Sequence, residues 1–291
     1  SSRMNEALKS MLEHYACQPQ DAYVGALREI MQRIALLGLW RAKFFEHAAF
    51  YGGTALRVLY GLERYSEDLD FSLLKPNAAF SLDAYGESLC RELKGFEFDV
   101  AFTVRPAKPN AAITSAFIKA NTLQHLVVIQ MPSELTGAFH ADETVKIKLE
   151  VDTDPPGGFE VESHPVLMPI PFAVQVYKKP DLFAGKMHAL LCRAWRNRVK
   201  GRDWYDLVWY LGHCPQLHLS HLEARMRYSG DWSLPEALDR EKLFERLRLS
   251  ISKLDVTRAR QEVEPFVRDK SSLALWSREF FLEIINGIEI V

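Results

Sequence analysis

At 291 residues, 48% hydrophobic and 25% charged, the chain can bury sizeable cores and fill two lobes, and it carries no disordered or low-complexity signature. A formal net charge of −2 excludes a protein-wide basic field of the kind that advertises nucleic-acid binding. No run approaches the roughly eighteen apolar residues that span a bilayer and no secretory signal is evident, so a cytoplasmic protein without a membrane role is expected.

The opening reads as helix. Pro19, Gln20 and Asp21 start a segment with Leu27, Ile30, Met31, Ile34 and Leu37 on one face, and Gly38 is expected to end it. A short apolar strand from His47 to Tyr51 runs into Gly52-Gly53, a brief helix from Thr54 to Tyr60 stops at Gly61, and Asp68 to Leu74 alternates as a strand. Ser81 to Leu93 is helical again, with Ser81 as N-cap. Four strands are expected next, at Phe96–Val104, Ile113–Lys119, Leu126–Met131 and Val145–Asp152. In the last, Val145, Ile147, Leu149 and Val151 alternate with Lys146, Lys148, Glu150 and Asp152, giving one apolar and one charged face.

Pro155 to Gly158 break that strand, and Pro165, Pro169 and Pro171 punctuate the stretch beyond it. After Pro180 the pattern turns helical, at Asp181–Trp195, Asp203–Leu211, Ser220–Tyr228, Ser233–Ile251 and Ser271–Ile285, with Ser233 and Glu236 forming a capping-box pattern. A lobe boundary is therefore placed near residue 175, with mixed α and β before it and helices after. Cys17, Cys90, Cys192 and Cys214 contain no Cys-x-x-Cys pair, which argues against zinc and reads as core thiols in a reducing compartment.

The chemistry is carried by Gly52-Gly53-Thr54 followed by Asp68-Leu69-Asp70-Phe71. A strand repeats its side-chain direction every second residue, so Asp68 and Asp70 share a face while Leu69, Phe71 and Leu73 pack on the other. Like charges this close disfavour joint ionisation unless a cation sits between them, and oxygen-only ligands on a rigid element suit Mg²⁺, which also takes substrate phosphates. Two glycines ahead of a helix N-terminus let the backbone approach a triphosphate, and Thr54 is expected to offer its hydroxyl to a phosphate oxygen. A third carboxylate is expected on a neighbouring strand, either Glu150 or Asp152. With two metals, one activates the nucleophile and the other steadies the leaving pyrophosphate.

Gly52-Gly53-Thr54-Ala55-Leu56, with Arg64, Ser66, Asp68, Leu69, Asp70 and Phe71, resembles the first motif of the AbiEii/AbiGii toxin nucleotidyltransferases, which include the MenT toxins. Lys146 to Glu150 resembles the second motif, Phe183 to Leu190 with Lys186 and Arg193 the third, and Lys200 to Leu207 with Asp203 and Asp206 the fourth. Gly185 departs from the pattern where an acidic residue is frequent. The resemblance implies an α+β fold: a polymerase-β-like nucleotidyltransferase lobe, with a mixed sheet and helices, followed by a helical lobe forming the other wall of an NTP cleft. It further implies Mg²⁺ and an NTP as cofactor and substrate, a cognate antitoxin, and for the MenT branch addition of nucleotides to the tRNA 3′ end, blocking aminoacylation.

On that reading Asp68, Asp70, Glu150, Lys186, Asp203 and Asp206 are catalytic candidates, with Asp68, Asp70 and Glu150 (Asp152 in reserve) as metal ligands. Gly52, Gly53, Thr54, Lys186, Arg193 and Arg202 are nucleotide-binding candidates. Asp203 and Asp206, three apart on a helix, are suited to orienting Lys186 or Arg202. The basic run containing Arg196, Arg198 and Lys200 is a candidate track for an RNA backbone. His218 and His221, and Trp195, Trp204, Tyr205 and Trp209, read as structure. Two rival functions are nucleotidyl transfer to a protein or small-molecule hydroxyl, and a nucleotide-binding toxin acting by protein contact alone.

Overall fold

The computed structural model describes residues 2–13, 15, 20–128, 131–193 and 200–291. Two compact units are present: Ser1–Leu59, Glu67–Pro155 and Ser163–Val176 form the first, and Tyr60–Ser66, Pro156–Glu162 and Tyr177–Val291 the second.

The first unit opens with α1 (Ser2–Glu13) and α2 (Gln20–Arg41). It continues through β1 (Ala48–Tyr51), α3 (Gly52–Tyr60), β2 (Leu69–Leu73), α4 (Asp83–Gly95), β3 (Ala101–Val104), β4 (Ile113–Asn121), α5 (Thr122–Val128), α6 (Ser133–Thr136) and β5 (Thr144–Asp152). Strands β6 (Val161–Val166) and β7 (Phe172–Tyr177) complete a seven-stranded sheet in the order β3-β4-β5-β2-β1-β7-β6. The sheet is mixed: β2 runs parallel to β5 and β1 to β7, while β1–β2, β3–β4 and β4–β5 are antiparallel.

The apolar face of this sheet is the core. Leu69, Phe71, Leu73, Ile147, Leu149 and Val151 are all buried, and Phe71 meets Phe44 edge-on at 4.9 Å between centroids and Phe50 at 5.3 Å. Helix α2 packs on β5 and α4, and its Leu27, Ile30, Met31 and Ile34 are fully buried. Gly38, the expected end of that helix, lies inside it. A Cβ there would stand 3.2 Å from Glu92 Cβ and 3.4 Å from Leu89 Cα, so this glycine brings α2 against α4 and does not cap a terminus.

Other expectations shift for identifiable reasons. The strand expected at Leu126–Met131 overlaps helix α5: the Asn121 side chain accepts a hydrogen bond from Gln124 N at 2.8 Å, which starts a helical turn where apolar content suggested a strand. Ser81 does not cap α4 as expected, although its hydroxyl accepts from Asp83 N at 3.2 Å. Strands β6 and β7 fall in the proline-punctuated stretch, where no element was assigned from the sequence.

The second unit contains α7 (Lys179–Cys192), α8 (Gly201–His213), β8 (Gln216–Leu217), α9 (Leu219–Tyr228), α10 (Arg240–Ser252), α11 (Val256–Val263), α12 (Arg278–Ile284) and β9 (Glu289–Ile290). Strands β8 and β9 pair in parallel. The 60–66 segment joins this unit through an antiparallel bridge between Arg64 and Val267 and a bond from Tyr65 N to Phe266 O. The capping box at Ser233 and Glu236 is not used. Helix α10 starts seven residues later, capped by Asp239, whose side chain accepts from Lys242 N, while the Glu236 carbonyl is engaged by Trp232 Nε1. The helix expected over Ser271–Ile285 is a 3₁₀ turn at Lys270–Leu273 followed by α12, which Ser277 caps.

Helix α8 meets α11 at Gly201, where a Cβ would stand 1.8 Å from the Ala259 carbonyl oxygen, a distance no relaxation of a side chain relieves. Gly212, in the same helix, would meet nothing within 4 Å. Gly201→Ala is therefore expected to destabilise the protein by about 2 kcal/mol or more. Gly212→Ala should stabilise it by about 0.5 kcal/mol, because alanine loses less chain entropy in a helix. Chemical denaturation of the two variants checks the pair, and equal effects would contradict the packing described.

Candidate active site

In the first unit the parallel ladder sets Asp70 of β2 directly opposite Glu150 of β5. Adjacent strands lie about 4.8 Å apart and paired residues share a face, so the two carboxylates stand side by side. The row extends on both flanks, since Ser115 of β4 is opposite Glu150 and Tyr51 of β1 is opposite Asp70. Asp152 is opposite Ser72, one pleat further along; it is 9% exposed, and its Oδ1 accepts from Asp154 N at 3.0 Å. Asp68 stands one residue ahead of β2 and is exposed.

Lys148, two residues before Glu150 on the same face of β5, makes an ion pair with it. An ammonium thus offsets the acidity of this face. Among the described residues, the only three His, Cys, Asp or Glu ligand atoms within 4.8 Å of one another belong to a different cluster, in the second unit. Asp68, Asp70 and Glu150 are neighbours without being drawn to that spacing.

Gly52 begins α3 with φ of +84°, in the left-handed region where a side chain is strained, and a Cβ there would stand 3.0 Å from Asp70 Oδ2. The glycine therefore gives the Asp70 carboxylate its room at the helix N-terminus, a constraint additional to the expected approach of a triphosphate. Gly53 follows within the same first turn. Thr54 departs from its expected role. It is 1% exposed and its hydroxyl donates to the Asp68 carbonyl, which spends the group on fixing the backbone that carries Asp68.

The second unit holds a separate cluster of charges. Lys186 of α7 contacts Asp203 Oδ1 at 2.7 Å and Asp206 Oδ2 at 2.9 Å, both from α8, as the three-residue spacing anticipated. Asp206 also receives a two-pronged contact from Arg64, Nε to Oδ1 and Nη2 to Oδ2, each at 2.6 Å. Burial pulls the Lys186 ammonium down, but Asp203 and Asp206 outweigh it and hold its pKa above the ordinary lysine value. Burial pushes Asp206 up, and Arg64 and Lys186 more than reverse this, leaving it below the ordinary carboxylate value. Asp206 thus has both oxygens engaged and no exposed surface, an arrangement suited to holding Lys186 and Arg64 in place. Arg64 is the partner that sequence reasoning missed; it was visible as a motif residue, but nothing linked it to a carboxylate 142 positions away.

Asp203, by contrast, lines a cavity of about 390 Å³ with Arg193, Lys200, Trp204 and Lys253. Arg202 is engaged elsewhere: its Nε donates to Glu262 at 3.0 Å and its guanidinium lies 4.2 Å from the Phe266 ring centroid, so it orients neither with Asp203 nor with Asp206. Arg196, Arg198 and Trp195 lie outside the described residues, as does Cys17. A larger cavity in the first unit, about 680 Å³ and bordered by Trp40, Lys43 and Val174, includes none of the expected site residues.

His218 Nδ1 is 2.6 Å from Asp181 Oδ1, and His221 Nδ1 is 2.8 Å from the Gly157 carbonyl oxygen. Trp204 packs on Phe281 and Trp209 on His213. No helix among the described residues is long and apolar enough to cross a membrane.

Residues 34–283 match the family described as nucleotidyl transferase AbiEii toxin, type IV TA system. No curated protein matches the sequence. Two solved structures are similar, both from Helicobacter pylori. One is JHP933, with a TM-score of 0.48 and 18% identity over 90% of this chain and 89% of that one. The other is described provisionally as a nucleotidyltransferase, with a TM-score of 0.47 and 19% identity over 89% of this chain and 91% of that one.

The Lys186 cluster carries a pH signature. Asp206 has a folded pKa below its unfolded value of about 3.9, so its contribution to stability is present above that pH and lost as the pH falls through the folded value. Lys186 has a folded pKa above its unfolded value of about 10.4, so its contribution is present below that pH and lost as the pH rises through the folded value. Arg64→Met removes one partner of a buried pair and should cost about 3 kcal/mol near neutrality. Urea unfolding of wild type and Asp206→Asn between pH 3 and 7, at roughly half-unit steps, tests the acid limb. The variant should lose plateau stability and respond less steeply to acid, and an unchanged limb would contradict the assignment.

Proposed function

The chain belongs to the AbiEii family of nucleotidyltransferase toxins, and on that premise we propose that it transfers nucleotides from an NTP to the 3′ end of tRNA, blocking aminoacylation. The observation that supports the chemistry best is the register of β2 on β5, which sets Asp70 beside Glu150 next to the N-terminus of α3. Glu150, and not Asp152, is the proposed third acid, because it pairs with Asp70 while Asp152 is buried opposite Ser72.

The donor set fits a divalent ion. Its oxygens are all carboxylate, and the Lys148 ammonium already lies against Glu150, so a cation is electrostatically welcome there. Asp68, Asp70 and Glu150 would hold Mg²⁺, which when bound neutralises triphosphate charge and acidifies the acceptor hydroxyl. The first N–H groups of α3, at Gly52 and Gly53, receive phosphate oxygens. The acceptor hydroxyl oxygen bonds to the α-phosphorus, the bond to the β-phosphate oxygen breaks, and pyrophosphate leaves; Glu150 accepts the hydroxyl proton. Lys186 and Asp203 are proposed as further catalytic groups and Arg193 as a nucleotide contact on the resemblance of their motifs, with Asp206 positioning Lys186. A cognate antitoxin is proposed from the same family membership.

Incubation with each labelled NTP, Mg²⁺ and total tRNA is expected to label the RNA 3′ end. Asp70→Asn and Glu150→Gln should each lower transfer at least about a hundredfold with little change in melting temperature, while Asp152→Asn retains activity. Label in a protein band or a low-mass product would move the acceptor to a protein or small-molecule hydroxyl. Full toxicity in cells of a folded Asp70→Asn variant would replace catalysis with action by contact.

A further inference from the structure

The last turn of α7 and the turn after α9 bring together three side chains outside the proposed chemistry: His188, Cys192 and Asp231. One imidazole nitrogen, the Cys192 sulfur and one Asp231 oxygen all lie within 4.8 Å of one another. We propose that His188, Cys192 and Asp231 form a binding site for a zinc ion, with a fourth position open to water.

Each ligand is placed by its own local structure. His188 and Cys192 are four residues apart, so one face of the helix presents both. Asp231 follows Gly230, whose φ of +80° turns the chain back, and its backbone is tied at both ends: its N–H donates to the Met226 carbonyl at 2.8 Å and its carbonyl accepts from Arg246 Nη1 at 2.8 Å. Ser229 supports two of the ligands, since its Oγ lies 2.9 Å from His188 Nε2 and donates to Asp231 Oδ2. Metal ligands are commonly oriented in this way by a surrounding shell of hydrogen bonds.

The donor chemistry selects the ion. Thiolate and imidazole exclude Mg²⁺ and Ca²⁺, which take oxygen, and a single sulfur beside nitrogen and oxygen suits Zn²⁺ better than Cu(I). Tetrahedral zinc with bonds of about 2.0–2.3 Å spaces its ligand atoms roughly 3.3–3.8 Å apart, and the three atoms here already lie within 4.8 Å of one another. Thiolate and carboxylate together balance a dication. The cations nearby are Arg193, Arg225, whose Nε donates to His221 Nε2 at 3.1 Å, and Arg246, whose guanidinium lies 5.1 Å from the Trp232 ring centroid, so the two anionic ligands offset these charges as well as the ion's. All three ligands are half-buried, which leaves an entry path. Searching for Cys-x-x-Cys pairs overlooked this arrangement, because the informative spacing is His-x-x-x-Cys on a helix and the third ligand comes from a distant turn.

The test uses untagged full-length protein, stripped with a chelator and titrated with Co²⁺ under reducing conditions. One equivalent should bind with a sulfur-to-cobalt charge-transfer band in the near ultraviolet, Zn²⁺ should displace it, and saturating zinc should raise the melting temperature. Cys192→Ser should abolish the band, and Asp231→Asn should weaken binding at least about tenfold while preserving the fold. Absence of stoichiometric binding, or a charge-transfer band surviving in Cys192→Ser, would overturn the site. Cobalt bound at the carboxylates of the first unit has no sulfur ligand and produces no such band, so this outcome is independent of nucleotidyl transfer.

Discussion

The parallel pairing of β2 with β5 is the constraint that creates the acidic face. Leu69, Phe71 and Leu73 on one strand and Leu149 and Val151 on the other are buried on the opposite side of the sheet. A slip of one residue would turn those side chains to the polar face and drive Asp70 into the apolar core. Burying several large apolar groups, each worth about 1.5–3 kcal/mol, outweighs the repulsion between two carboxylates at the surface of the sheet. The positions of Asp70 and Glu150 are thus a by-product of core packing, and Lys148 offsets part of the remaining repulsion.

That pairing also marks the limit of what could be read from the chain. Alternation in β2 and β5, the glycine pair and the paired acids are local patterns, and the structure contains the strands they indicated. Which strands become neighbours is a long-range property: α4, β3, β4, α5 and α6 intervene between β2 and β5. Alternation alone puts Glu150 and Asp152 on one face, and the register adds that Glu150 lies opposite Asp70 and Asp152 opposite Ser72. One local misreading has the same origin: Gly38 looked like a terminus because its packing partner on α4 is distant in sequence. The Ser233 misreading is local, since Trp232 Nε1 engages the Glu236 carbonyl four residues on and Asp239 supplies the cap.

The Lys186 cluster obeys a different electrostatic rule. Arg64, Lys186, Asp203 and Asp206 sum to zero formal charge, and the two fully engaged members, Arg64 and Asp206, are the most deeply buried. A set of charges at this depth is tolerable only when every member is paired, because one unpaired ion costs several kcal/mol. Half of this arrangement was legible, since the i, i+3 acids on α8 required a cation on their shared face. The other half was not, because Arg64 reaches the second unit through a segment that leaves the first between α3 and β2.

These two clusters show how composition alone misleads about function. Both contain two or three carboxylates and a lysine, yet one is balanced by a fixed guanidinium and buried, while the other lies on a sheet face with acids in excess of its single ammonium. The balanced cluster gains nothing from an added cation and would lose an ion pair to make room for one. On the unbalanced face a divalent ion would replace repulsion with attraction and leave coordination positions for a phosphate. The surplus negative charge at Asp68, Asp70 and Glu150 is thus what would favour a cation on this face, whereas in the Lys186 cluster Arg64 and Asp206 hold the geometry from which Lys186 and Asp203 are presented.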